Sequence, residues 1–121
     1  MTSANLADMP NPDLVREFAE ITKQMGYAEL GDDRARYNEL YKLLSLVVAE
    51  LKARRRRDTL LPLLKHESGW VRYHAAQRTL AIAPEESRRV LKEICASKRY
   101  PEAGYAGMTL TSLDLGWFVP D

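Results

Sequence analysis

Apolar residues recur along this chain at spacings of three and four, the period of helices packed on one side. Leu14, Phe18, Ile21 and Met25 form one such stripe, preceded by Asn11-Pro12-Asp13, which reads as a cap, a first-turn proline and an acidic residue suited to a helix start. That helix is expected to end between Gly26 and Gly31. Asp32 and Asp33 can cap a second helix, whose face holds Tyr37, Leu40, Tyr41, Leu44, Val47, Val48 and Leu51 and which runs into the cationic end Lys52 to Arg57. A short third helix is expected after Asp58 or Thr59, with Pro62 near its first turn and Leu60, Leu61, Leu63 and Leu64 as its apolar block. Ser68 can cap a fourth helix over Trp70 to Ala83, and Pro84-Glu85-Glu86 opens a fifth through Val90, Leu91, Ile94 and Cys95. A sixth starts after Pro101, carries Gly104, Tyr105, Ala106, Gly107, Met108, Leu110 and Leu113, and stops at Gly116. No window alternates as a strand would.

The pattern predicts an all-α fold of about six helices in three antiparallel pairs, built as one domain over residues 11–121 behind a flexible tail at residues 1–10. The tail mixes Ser, Asn, Asp and Pro with few large apolar groups, too little to offset the entropy of ordering it. Sliding the chain on itself by about 31 to 33 residues lays the break before Trp70 on the break at Pro101 and sets Ala75-Ala76 near Ala106-Gly107, a period in the range of helical repeats. The small residues of the last helix are then expected to allow close packing, with Gly107 beside Ala76.

The stretch Glu67-Ser68-Gly69-Trp70-Val71-Arg72, followed by Ala75-Ala76 and Leu80, resembles a HEAT repeat. The second copy has Gly104-Tyr105 in place of Val-Arg, so no ladder of repeated acid-arginine contacts follows from it. Leu14 to Glu20, Leu51-Lys52-Ala53-Arg54, Leu61-Pro62-Leu63-Leu64, Ala83-Pro84-Glu85, Ala106-Gly107-Met108 and Leu113-Asp114 extend the likeness over most of the chain from about Asp13 onward. Together they resemble an uncharacterised bacterial family of small HEAT-like helical domains, classed as a domain of unknown function. The resemblance implies an armadillo-like α-α superhelix and supplies no catalytic residues.

Composition narrows the function classes. The chain has 121 residues and 45% hydrophobic content, enough for a core without metal or disulfide staples. Its 18 Lys and Arg against 17 Asp and Glu leave a formal net charge of +1, so any electrostatic partner must be met locally. One cysteine, Cys95, cannot form an internal disulfide, and its apolar neighbours fit a packing role in a reducing compartment. With no signal-peptide pattern and no stretch of apolar residues long enough to span a membrane, the expected location is the cytoplasm.

Candidate chemistry is sparse. His66, His74 and Cys95 are metal-ligand types, but no pair has CxxC or HxxxH spacing, and no cofactor or metal is expected. His66-Glu67 is similar to the His-Glu pairs of a di-iron HEAT-repeat hydroxylase, which needs several such pairs where this chain has one. No GxSxG elbow or phosphate loop is present, so the chain is not expected to be an enzyme. Two surfaces stand out. Trp70, Arg72, Tyr73, Gln77 and Tyr105 fall where a repeat protein would present a concave binding face, which points to a protein-interaction module or regulatory adaptor. Arg54, Arg55, Arg56 and Arg57 could follow a phosphate backbone, although a solvated helix end answering the helix dipole accounts for them as well. An immunity-type inhibitor of a toxin is a further alternative, and the protein partner itself is not legible.

Overall fold

The computed structural model describes residues 3–121, all of whose regular elements are helical. They are α1 (Ser3–Ala7), α2 (Asn11–Leu30), α3 (Arg34–Ala53), a 3-10 helix (Arg57–Lys65), α4 (Gly69–Thr79), α5 (Pro84–Ser97) and α6 (Glu102–Asp114). The chain divides into two compact units, one ending at Leu60 and the other beginning at Leu61.

In the first unit, α2 and α3 pack on each other and α1 packs on α3. The stripe Leu14, Phe18, Ile21 and Met25 is buried, facing a core that Leu40, Leu44, Val47, Val48 and Leu51 contribute from α3. Asp33 caps α3 by accepting from the Arg36 amide at 3.1 Å. The expected face of α3 narrows in the folded chain: Tyr41 stands in solvent, and Tyr37 is half-buried beneath the Arg34 guanidinium, 5.3 Å from its ring centre.

Residues 1–10 depart from the expected tail, of which Met1 and Thr2 lie outside the described residues. From Ser3 the chain forms α1, and Leu6 is buried. The cause is tertiary. Arg54, at the end of α3, donates to the carbonyls of Leu6, Ala7 and Met9 and to Asn11 Oδ1, answering the exposed carbonyl end of a five-residue helix that could not persist alone. Asn11 therefore serves as an acceptor for arginine, and Pro10 occupies the cap position of α2.

The third helix of the sequence reading is a 3-10 segment. Pro62 lies inside it and has no amide to give an α-helical ladder, while Leu60 and Leu64 are buried. The expected antiparallel pair of this segment with α4 is replaced, in the second unit, by a group of three helices in which α4 packs on α5, α5 on α6, and α4 also meets α6. Ser68 caps α4 through the Val71 amide, as its position suggests, and Pro84 stands in the first turn of α5. α4 ends at Thr79, short of Ala83.

Helix α6 stops as expected at Gly116, whose φ of 74° lets the Trp117 amide reach back to the Ser112 carbonyl at 2.9 Å. Its small residues work differently from the repeat alignment. Ala103 and Ala106 are buried, and a side chain at Gly107 would meet Cys95 Sγ of α5 at 3.4 Å, so the neighbour of Gly107 is Cys95 and not Ala76.

Candidate functional site

The basic run does not act as one surface. Arg54 places Nε 2.8 Å from Glu50 Oε2 and its two terminal nitrogens on the four acceptors of the N-terminal segment, which leaves none of its donors for phosphate. Arg56 turns to Asp58 at 3.0 Å, and Arg57 is also engaged. Arg55 is exposed and has a φ of 57°, because α3 ends in a turn where the Arg56 amide bonds the Leu51 carbonyl at 2.9 Å. The residue at the left-handed position of such a turn, here Arg55, is usually glycine. The run is thus largely a helix terminus and its fastening.

On α4, three of the five residues expected to bind a protein do converge. Trp70 lies 5.9 Å from Tyr73 edge to face and 5.1 Å from Tyr105 of α6, and Tyr73 lies 6.0 Å from Tyr105. They converge as packing: Trp70 and Tyr73 are each only 5% exposed. The reason is that α4 is covered by both α5 and α6, so its aromatic stripe has no free side to form a concave face. Arg72 is fastened to the carbonyls of His66 at 2.7 Å and Glu67 at 3.1 Å, holding the turn before α4. Gln77 is half-buried and takes no part in the aromatic cluster.

Polar groups tie these helices together. Tyr73 and Thr109 share a hydrogen bond at 3.2 Å between α4 and α6, and Thr79 and Ser87 share one at 2.8 Å between α4 and α5. At the N-terminus of α4, a side chain on Gly69 would fall 2.8 Å from Glu102 Oε2, so the carboxylate of α6 sits against the positive helix end.

The fold changes the titration of His74 strongly. It is stacked on Trp70 with ring centres 5.5 Å apart, and burial, aided by the charge of Arg78, lowers its pKa from 6.5 to about 3. The imidazole is neutral, and neither ring nitrogen has a hydrogen-bond partner. Trp70 Nε1 and Arg78 Nε are buried and unpartnered as well. Arg78 escapes notice in the sequence because a single arginine on a helix ordinarily faces water; the spacing of four from Trp70 to His74 to Arg78 was the available signal.

An open concavity of about 730 Å³ lies at the start of α5, lined by Ala83, Pro84, Glu85, Glu86 and Arg89. Its acidic residues are those that complement a helix N-terminus, and Arg89 lies 3.9 Å from Glu86. Among the described residues, no three His, Cys, Asp or Glu side chains are grouped as metal ligands, and no helix is long and apolar enough to cross a membrane.

Among the described residues, fold and site define an all-helical protein with a few polar groups buried between its helices. The chain belongs to the family described as Domain of unknown function (DUF2019), whose pattern matches residues 12–114. It is similar to the protein RPA1889 from Rhodopseudomonas palustris CGA009, with 42% sequence identity and a TM-score of 0.91 to that crystal structure over 96% of this chain and 98% of the other. No curated protein matches it.

Proposed function

We propose that this protein is a non-catalytic protein-interaction module, a cytoplasmic adaptor of HEAT/armadillo-type build. The observation that carries the reading is the C-terminal end of the second unit, where Trp117 and Val119 are each 77% exposed. Leu115 and Met108 are exposed too. Large aromatic and sulfur-bearing side chains are enriched in protein interfaces, and a tryptophan held in water loses the stabilisation that burial would give it. After α6 the chain is no longer helical, and Phe118 is half-buried between the two exposed residues. That alternation is how an extended segment faces its own body on one side and a partner on the other.

The repeat-type build is supported by short connections between successive helices and by the way α5 is shared between α4 and α6, since a helix pair cannot bury both its faces alone. An immunity-type inhibitor is a special case of the same reading, distinguished by the identity of the partner. For nucleic acid, the commitments of Arg54 and Arg56 weaken the case for the basic run.

The test is affinity capture from the native cell, comparing the parent with a Trp117→Ser, Val119→Ser double variant of unchanged circular dichroism. A partner retained by the parent and lost by the double variant is the expected result. Equal sets of retained proteins from both would sink the reading. Retention of nucleic acid at ~150 mM salt would move the function to the basic run.

A further inference from the structure

Helix α6 differs from its neighbour α5 in what it turns to solvent. From Ala103 to Leu113 it carries no charged residue, in a chain where 29% of residues are charged. By contrast, α5 exposes Glu85, Arg89, Lys92 and Glu93. The buried side of α6 holds Ala103, Ala106 and Thr109. At about 100° per residue, the opposite side is the line Gly104, Met108, Thr111 and Leu115. Met108 is 60% exposed and Leu115 56%, and Thr111 is exposed with them. The exposed Tyr100 ring lies beside Gly104, where an added side chain would meet it at 3.7 Å.

An outermost helix normally turns a polar face to water, and one without charge leaves apolar surface to be covered. Trp117 stands at the C-terminal end of this helix, its amide bonded back to the Ser112 carbonyl. With Tyr100, Met108, Thr111 and Leu115 it exposes about 600 Å² per chain, so two chains would cover about 1,200 Å² between them, enough for a small specific interface.

The order of sizes along the face identifies the occupant. It reads small, large, small, large from Gly104 through Met108 and Thr111 to Leu115, and the same line reversed reads large, small, large, small. Two such faces are therefore complementary when one helix runs against the other. A parallel pair would set Met108 on Met108 and Leu115 on Leu115.

We propose that the open face of α6 pairs with the same face of a second copy of this chain, two-fold and antiparallel, with Leu115 of each copy on Gly104 of the other and Met108 of each on Thr111 of the other. Charge agrees with this direction. Lys98 and Arg99, exposed just before α6, come to the negative end of the other helix, where the exposed Asp114 lies. The pairing rests on the interaction reading above and names the occupant of the α6 part of that surface.

The test is sedimentation equilibrium of the full chain over a concentration series reaching about 0.5 mM. The expected result is a mass that rises with concentration toward twice that of one chain. Met108→Glu sets a charge in each half of the interface and should weaken the association about a hundredfold or more, with unchanged circular dichroism. Gly104→Leu fills the space that Leu115 of the other copy needs and should weaken it as well, keeping the test open if Met108→Glu fails to fold. Leu46→Glu, a change at an exposed apolar residue of the first unit, should leave the association as it is. A chain that stays monomeric throughout overturns the pairing, and a partner still lost on Trp117→Ser, Val119→Ser would then leave the interaction reading standing without it. A dimer equally strong in the folded Met108→Glu and Gly104→Leu variants is built on another face and overturns the proposal too.

Discussion

The two units solve the same packing problem with different chemistry. In the first, α2 and α3 are twenty residues each and meet through Leu, Ile, Val, Met and Phe, while the buried Thr22 bonds to the Phe18 carbonyl of its own helix at 2.9 Å. In the second, α4, α5 and α6 are shorter and bury His74, Thr79, Ser87 and Thr109; Thr79 and Thr109 bond to carbonyls of their own helices as Thr22 does, but each also shares a hydrogen bond with a neighbouring helix, and His74 makes none. A long apolar seam is non-directional and tolerates adjustment, whereas buried polar pairs fix register and leave a large penalty when one partner is lost. The second unit is therefore where most of the buried unsatisfied groups collect.

The largest expected effect separates the units by pH. His74 has its pKa lowered on folding, so between about 6.5 and about 3 the unfolded chain binds a proton that the folded one does not. Its contribution is fully present above 6.5 and falls by about 1.4 kcal/mol per pH unit on acidification through that window, for a total of a few kcal/mol. Urea midpoints measured from pH 7 to 4 should show this slope, and a folded His74→Phe variant should lack it; an equal slope in the variant would place the acid sensitivity elsewhere.

Next is Arg54, the first unit's own dependence on polar fastening. Arg54→Met should destabilise by about 2–3 kcal/mol, since a charged donor leaves several acceptors at once. Hydrogen exchange should show α1 opening while α2 and α3 stay protected; a protected α1 would mean that burial of Leu6 suffices to hold it.

Thr79→Val keeps the shape but leaves Ser87 Oγ buried without its partner on α4, at a cost of about 1–3 kcal/mol. Adding Ser87→Ala should recover part of the loss, and strict additivity of the two changes would remove the claim that polar pairs set the register of the second unit. The smallest effect has the opposite sign. Arg55→Gly relieves a left-handed backbone at the end of α3 and should raise stability by about 0.5–1 kcal/mol, measured by urea unfolding; a loss would show that the Arg55 side chain has a role its exposure conceals.

The amino-acid pattern by itself determined most of the helices and the core of the first unit, because a stripe such as Leu14, Phe18, Ile21 and Met25 encodes a face through local geometry alone. It also placed Ser68, Asp33, Pro84 and Gly116 at helix ends, where the unpaired backbone groups lie within one turn of the residue that answers them. Only the tertiary structure decided the rest. Arg54 meets Leu6 across 48 positions of sequence, and no local pattern distinguishes it from Arg55 beside it. Trp70 and Tyr73 read equally well as a binding face or as core until α5 and α6 are laid on α4. Whether a polar side chain ends in water, on a partner or unanswered is a property of what arrives on the other side of its helix. For Arg78 and His74 that was written in distant residues, and the periodicity of α4 could not contain it.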